Sequence, residues 1–172
     1  VLIVHGGDAL SRPRLDKLDS RLRSVCPDLR GLESHWFFLV DTAGQPLPPP
    51  ARQRLLAILE AVATPPAVGD GLTVVVTPRV GTLSPWSSKA TDIVRGAGLT
   101  GIRRVERGVV HTLLGCRPDG FPALDAAARA LLHDRMTESL HTDTDQARQA
   151  FQQAPQPQPL TRVPLLADGR AA

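Results

Sequence analysis

The sequence predicts an α/β domain, an α+β sandwich in which two strand-helix-strand-helix halves share one core. Three observations carry this. Apolar residues make up 42% of the 172 residues, enough for one domain with a true interior. They alternate between short β-branched runs and longer stretches at helical spacing. That order then recurs, in halves of about equal length. The repeat is one of element order and not of residues.

Residues 1–5 (VLIVH) form a β-branched run that suits a buried strand, broken by Gly6-Gly7. Ser11 can cap the next helix, and Pro13 falls near its first turn, where a missing N–H costs nothing. Leu15, Leu18, Leu22 and Val25 then share one helical face, and Cys26-Pro27 ends it. Residues 34–40 read as a second strand with aromatics at its centre, followed by the turn Asp41-Thr42-Ala43-Gly44. Pro48-Pro49-Pro50 leads into a second helix with Leu55, Leu56, Leu59 and Val62 on one side. Thr64-Pro65-Pro66 closes that helix and Gly69-Asp70-Gly71 makes a loop.

The second half opens with the strand LTVVVT, residues 72–77. Residues 87–97 read as a helix with Ala90, Ile93, Val94 and Ala97 turned inward. Residues 102–114 are extended, with a bulge or hairpin bend expected at Gly108. Residues 121–140 give the strongest helical pattern, through Leu124, Ala127, Ala128, Leu131, Leu132 and Met136. The domain is expected to occupy residues 1–141. Residues 143–151 hold one more short helical stretch, and QQAPQPQPLTRVP follows. Alternating Pro and Gln cannot build a core and favour polyproline II. Residues 142–172 therefore read as a linker to a further domain. A chain that starts on Val and ends in such a linker reads as the first domain of something larger.

Charge and cysteine usage narrow the class. The net charge is +3, and only Lys17 and Lys89 are lysines. No basic stripe and few aromatics argue against nucleic-acid binding. Cys26 and Cys116 have no CxxC spacing, which fits a reduced, cytoplasmic protein. The longest apolar runs, 1–4 and 36–40, fall far short of the roughly 20 residues that span a bilayer, and no signal-peptide pattern precedes them.

The stretch TPRVGTLSPWSSKATDIVRGAG, residues 77–98, concentrates unusual residues. It is not a P-loop, because no second Gly precedes Lys89. A helix starting at Ser84-Pro85 or Ser87 could hold an anion on its free N–H groups, with Arg79 or Lys89 nearby; a plain serine N-cap explains the same residues more simply. Ser87 and Ser88 lie on a turn, but GxSxG is absent, and His5, His35, His111, His133 and His141 are too scattered to assign a base. No HExxH or CxxC marks a metal site. In RRVER, residues 103–107, strand alternation puts Arg104 and Glu106 on one face and Arg103, Val105 and Arg107 on the other. This is either a solvated face with weak ion pairs or an interface anchored by Arg and Trp86.

The run VTPRVGTLSPWSSKATDI (76–93), followed by RRVERGV (103–109), resembles the N-terminal domain of phosphoribosylformylglycinamidine synthase of the large single-chain type, also called formylglycinamide ribonucleotide amidotransferase. LHDRMTESL (132–140) and PLTRVPLLADGRAA (159–172) are similar to later parts of that region. The resemblance implies a fused pair of small S subunits sharing a largely antiparallel sheet with helices packed on it. It implies a part of an enzyme that makes formylglycinamidine ribonucleotide from formylglycinamide ribonucleotide, ATP and glutamine in purine synthesis. ATP and magnesium would bind in a following synthetase domain, and a glutaminase would stand at the far C-terminus. This segment would hold no catalytic residue, cofactor or metal. It would bridge those two domains of the same chain and help form the ammonia path. Pro78, Gly81 and Pro85 would fix a rigid turn, and Trp86 would fill a pocket on a neighbour. Arg79, Lys89 and Asp92 would make charge-assisted hydrogen bonds across the contact. Ser84, Ser87, Ser88, Arg104, Glu106 and Arg107 would complete the interface and its support. The alternatives are a stand-alone scaffold docking on separate synthetase and glutaminase chains, and a small-ligand sensor using the Ser84–Lys89 turn.

Overall fold

Two eleven-residue strands, β2 (Gly31–Asp41) and β4 (Arg104–Leu114), pair antiparallel along their whole length, from Gly31 opposite Leu114 to Asp41 opposite Arg104. β1 (Leu2–Asp8) flanks β2, β3 (Gly71–Pro78) flanks β4, and β5 (Glu138–His141) pairs with β3. The order is β1-β2-β4-β3-β5, antiparallel throughout. The structure is a computed structural model and describes residues 1–62, 71–117, 120–152 and 160. The expected helix end at 64–66, positions 69 and 70 of the expected loop and nearly all of the Pro/Gln-rich segment lie outside these residues; Gly71, expected in that loop, is the first residue of β3.

Alternation along the strands sorts side chains onto two faces. One face carries Val4, Phe38, Val40, Val74, Val105 and Leu113, and helices cover it. α2 (Pro49–Ile58) and α3 (Pro85–Gly96) bring Leu55, Ala90 and Val94 against one part. α1 (Arg12–Arg23) and α4 (Ala126–Leu132) bring Leu22, Ala128 and Leu132 against the other. The opposite face carries Phe37, Leu39 and Val75, covered by Ala147 and Phe151 of α5 (Thr144–Gln152). The short helical stretch expected at 143–151 is thus present, packed on the sheet. Among the described residues no helix is long and apolar enough to cross a membrane.

The helices α1 and α3 are alike in outline. Both have 12 residues, follow a serine at the N-cap position and carry proline in their first turn, but only the Ser84 side chain accepts a capping hydrogen bond; the cap expected of the Ser11 hydroxyl is not made. Each joins two antiparallel neighbours, β1 to β2 and β3 to β4.

Three further expectations are corrected. Residues 121–140 do not form one helix. A 3₁₀ turn (Phe121–Ala123) precedes α4, which ends at the extended backbone of His133. Asp125 caps α4 by accepting from the Ala127 N–H, and Asp134 accepts from the Met136 N–H in the turn before β5. Pairing of Leu140 with Val76 overrides the helical spacing, and Met136 is 75% exposed. Gly108 makes no bulge or bend: β4 pairs without register shift through it, opposite Phe37. Ile93 and Val62 point outward, not into the core. Val62 lies past the end of α2 and donates its N–H to the His5 carbonyl at the edge of β1.

One buried polar pair gives a pH prediction. Ser34 and His111, both buried, share a hydrogen bond of 2.7 Å between the hydroxyl and Nδ1. Burial pushes the His111 pKa down to about 4. The unfolded chain therefore takes up this proton first, and stability falls as pH drops from about 6.5 toward 4, by about 3 kcal/mol at most. Urea unfolding at pH 7 and pH 4.5 should show the loss, and His111→Gln should flatten it.

Candidate functional site

β3 stays with β4 only as far as Val76 opposite Val109; Thr77 and Pro78 pair with β5 alone. The first residues of β4 are left without a strand on that side. α3 fills the gap. The Ser87 hydroxyl donates to the Val105 carbonyl, and the Thr91 hydroxyl accepts from the Val105 N–H at 3.0 Å. These two side chains, four residues apart on one helical face, replace the missing strand's backbone groups.

The turn between β3 and α3 is fixed at both ends. The Arg79 N–H donates to the Thr137 carbonyl, tying it to the loop before β5. Gly81 has φ 82°, a conformation glycine adopts without steric cost. The Thr82 hydroxyl donates to the Arg79 carbonyl at 2.6 Å. Ser84 Oγ accepts from the Ser87 N–H at 3.0 Å, which is the serine N-cap.

Glu106 organises what remains. Its carboxylate is 2% exposed. Oε1 accepts from the Ser84 hydroxyl at 2.7 Å and from the Arg107 N–H at 3.1 Å. Oε2 accepts from Arg104 at 3.0 Å and from the Ser84 N–H at 3.4 Å. Arg104 also donates to the Thr82 carbonyl at 2.8 Å and lies 4.6 Å from the centre of the Phe151 ring. A carboxylate thus stands at the N-terminus of α3, where the helix dipole favours negative charge. The serine cap is thus the one observed, and the alternative anion site at this turn is already filled from within the chain. A phosphate would meet the Glu106 charge and find the Ser84 donors taken. Ser87 is likewise buried and donating to a carbonyl, which is a support role and not that of a nucleophile.

Trp86 is half-buried. It stacks on Phe38 at 5.8 Å between ring centres, packs against the apolar cluster around Phe38, and has the Arg107 guanidinium 4.9 Å from its ring centre. The same guanidinium lies 4.4 Å from the Trp36 ring. The anchor expected to reach into a neighbour is held in large part by its own domain.

The predicted residues therefore divide. Ser84, Ser87, Arg104, Glu106, Arg107 and Trp86 form an internal framework. Arg79, Gly81, Pro85, Ser88, Lys89 and Asp92 are exposed, and Pro78 is half-buried at the strand end. Sequence reasoning missed the apolar side chains beside them: Leu83 is 59% exposed, Ile93 53% and Val80 40%. Ile93 shares the outer face of α3 with Lys89. The only signal for Leu83 and Val80 was an apolar residue inside a polar turn. Thr91, which closes the α3–β4 junction, was also missed.

Other chemistry has little footing. Burial raises both the Cys26 and the Cys116 thiol pKa, opposite to what a nucleophilic cysteine needs. Among the described residues no group of three or more His, Cys, Asp or Glu could hold a metal ion.

A family model described as formylglycinamide ribonucleotide amidotransferase N-terminal matches residues 35–151, from within β2 into α5, and so takes in the whole turn and its supports.

Proposed function

Since the chain belongs to the formylglycinamide ribonucleotide amidotransferase N-terminal family, we propose that it is the bridging domain of that purine-biosynthetic enzyme, docking the synthetase and glutaminase domains of the same chain and helping to seal the path of ammonia between them. One observation carries this reading. The Ser84 and Ser87 hydroxyls of the 77–98 turn and the buried Glu106 carboxylate beside it are committed to internal bonds, while the outer side of the turn presents Val80, Leu83 and Ile93 among Arg79, Lys89 and Asp92. That is apolar surface with a charged surround on a rigid support, the composition of a docking face and not of a reacting centre. Sealing matters chemically, because ammonia that reaches water at neutral pH becomes ammonium and loses its nucleophilic lone pair. In this reading ATP and magnesium belong to the synthetase domain, and the enzyme works in the cytoplasm.

The test is Leu83→Asp with Ile93→Asp in the full-length enzyme. Both side chains are exposed, so the fold should persist. Glutamine-dependent synthesis is expected to fall about tenfold, equivalent to about 1.4 kcal/mol of lost docking. Synthesis from added ammonia should be retained. Unchanged glutamine-dependent synthesis would sink the proposal.

A further inference from the structure

Arg107 lines a cleft of about 450 Å³ on the helix-covered side of the sheet, together with Trp36, Phe38, Trp86, Ile58 and Glu60. Its guanidinium carbon lies over both indoles, 4.4 and 4.9 Å from their ring centres. Its neighbours on the chain spend theirs. Arg104 donates to the Thr82 carbonyl and Glu106, and Arg95 to the carbonyls of Ile102 and Arg103. The Arg107 backbone N–H goes to Glu106, but among the described residues no acceptor meets its guanidinium. Partial burial works against the charge, with Glu106 opposing that effect. A planar cation packed against two rings, partly desolvated and without an acceptor among the described residues, is suited to bidentate contact with a carboxylate.

The rim narrows the choice of partner. Asp8 and Glu60 line the same cleft and are exposed, and Asp8 lies 3.5 Å from His35 Nδ1. Glu60 holds φ 50°, an uncommon conformation for a residue with a side chain. A bare anion would meet these two negative charges. A peptide segment with one acidic residue, apolar neighbours and basic residues further out would match cation, walls and rim at once.

We propose that this cleft receives a protein segment of that kind from another domain, its Asp or Glu side chain seated against Arg107 beside the two tryptophans. The bridging reading supplies only the source of the segment. The cleft's chemistry can be read on the 172-residue chain alone, so either can fail without the other.

The chain has two tryptophans, and both flank Arg107, so intrinsic fluorescence reports on the cleft directly. The probe is the blocked peptide acetyl-Lys-Leu-Glu-Leu-Lys-amide, with its Gln counterpart and inorganic phosphate as controls. The Glu peptide is expected to give a saturable change, with affinity about tenfold above the Gln peptide and above phosphate. Arg107→Lys keeps the charge but loses the fork, and should remove most of that difference. The wild-type contrast between Glu and Gln decides the matter even if Arg107→Lys does not fold. No saturable response to the Glu peptide, equal binding of the Gln peptide, phosphate binding as tight as the Glu peptide, or a folded Arg107→Lys variant that keeps the full contrast would each overturn the proposal.

Discussion

Glu106→Ala is expected to destabilise the domain by about 3–5 kcal/mol. The substitution strands four donors at once: the Ser84 hydroxyl, the Ser84 N–H, the Arg107 N–H and one arm of Arg104. It also leaves the half-buried Arg104 charge without its carboxylate, and the open N-terminus of α3 without its compensating anion. α3 would lose the lock that holds Ser87 and Thr91 on Val105. Glu106→Gln should cost less, because one oxygen still accepts while the amide N–H₂ faces Arg104. Urea unfolding at neutral pH checks both. A loss below about 1 kcal/mol for Glu106→Ala would mean that the network is not cooperative.

Gly108→Ala is the second large effect, expected at about 3 kcal/mol. A Cβ at this position would press into the Phe37 ring and lie 2.5 Å from the Val76 carbonyl oxygen. Phe37 is fully buried, and Val76 belongs to the neighbouring strand, so neither can retreat without opening the sheet. Phe37→Leu should recover only part of the loss, because it relieves the ring and not the carbonyl. A cost under about 1 kcal/mol, or complete rescue by Phe37→Leu, would show that the sheet yields more readily than its packing implies.

These two residues also mark where the sequence could be read and where it could not. A glycine within a strand pattern signals a bulge, a bend or a close approach, and the one-dimensional pattern does not separate them. Only the ring of Phe37, 71 positions earlier in the chain, decides for close approach. Strand alternation put Arg104 and Glu106 on one face correctly. Their burial was invisible, because it depends on α3 closing the end of the sheet where β3 leaves. The strand-forming runs at 1–5, 34–40 and 72–77, β-branched or aromatic, were legible, since their side chains fill a face at period two. The Ser84-Pro85 helix start was legible as a cap, because capping is local chemistry. β5 was hidden: four residues inside a helical pattern become a strand only by pairing with β3. Ile93 fits the i, i+3, i+4 pattern begun by Ala90 yet is 53% exposed, and periodicity alone could not show that this edge of the apolar stripe is left open among the described residues. Trp86 was expected to project, but Phe38 and Arg107 take up much of its surface.

The central claim is that residues 77–98 serve docking and not chemistry. The most direct test separates the pieces. The 172-residue domain and the remainder of the amidotransferase are prepared as two chains, and amidine formation is measured from glutamine and from ammonia. The account predicts that the remainder alone works with ammonia but poorly with glutamine, and that added domain restores the glutamine reaction while the Leu83→Asp, Ile93→Asp domain does not. Full glutamine-dependent synthesis by the remainder alone would contradict it.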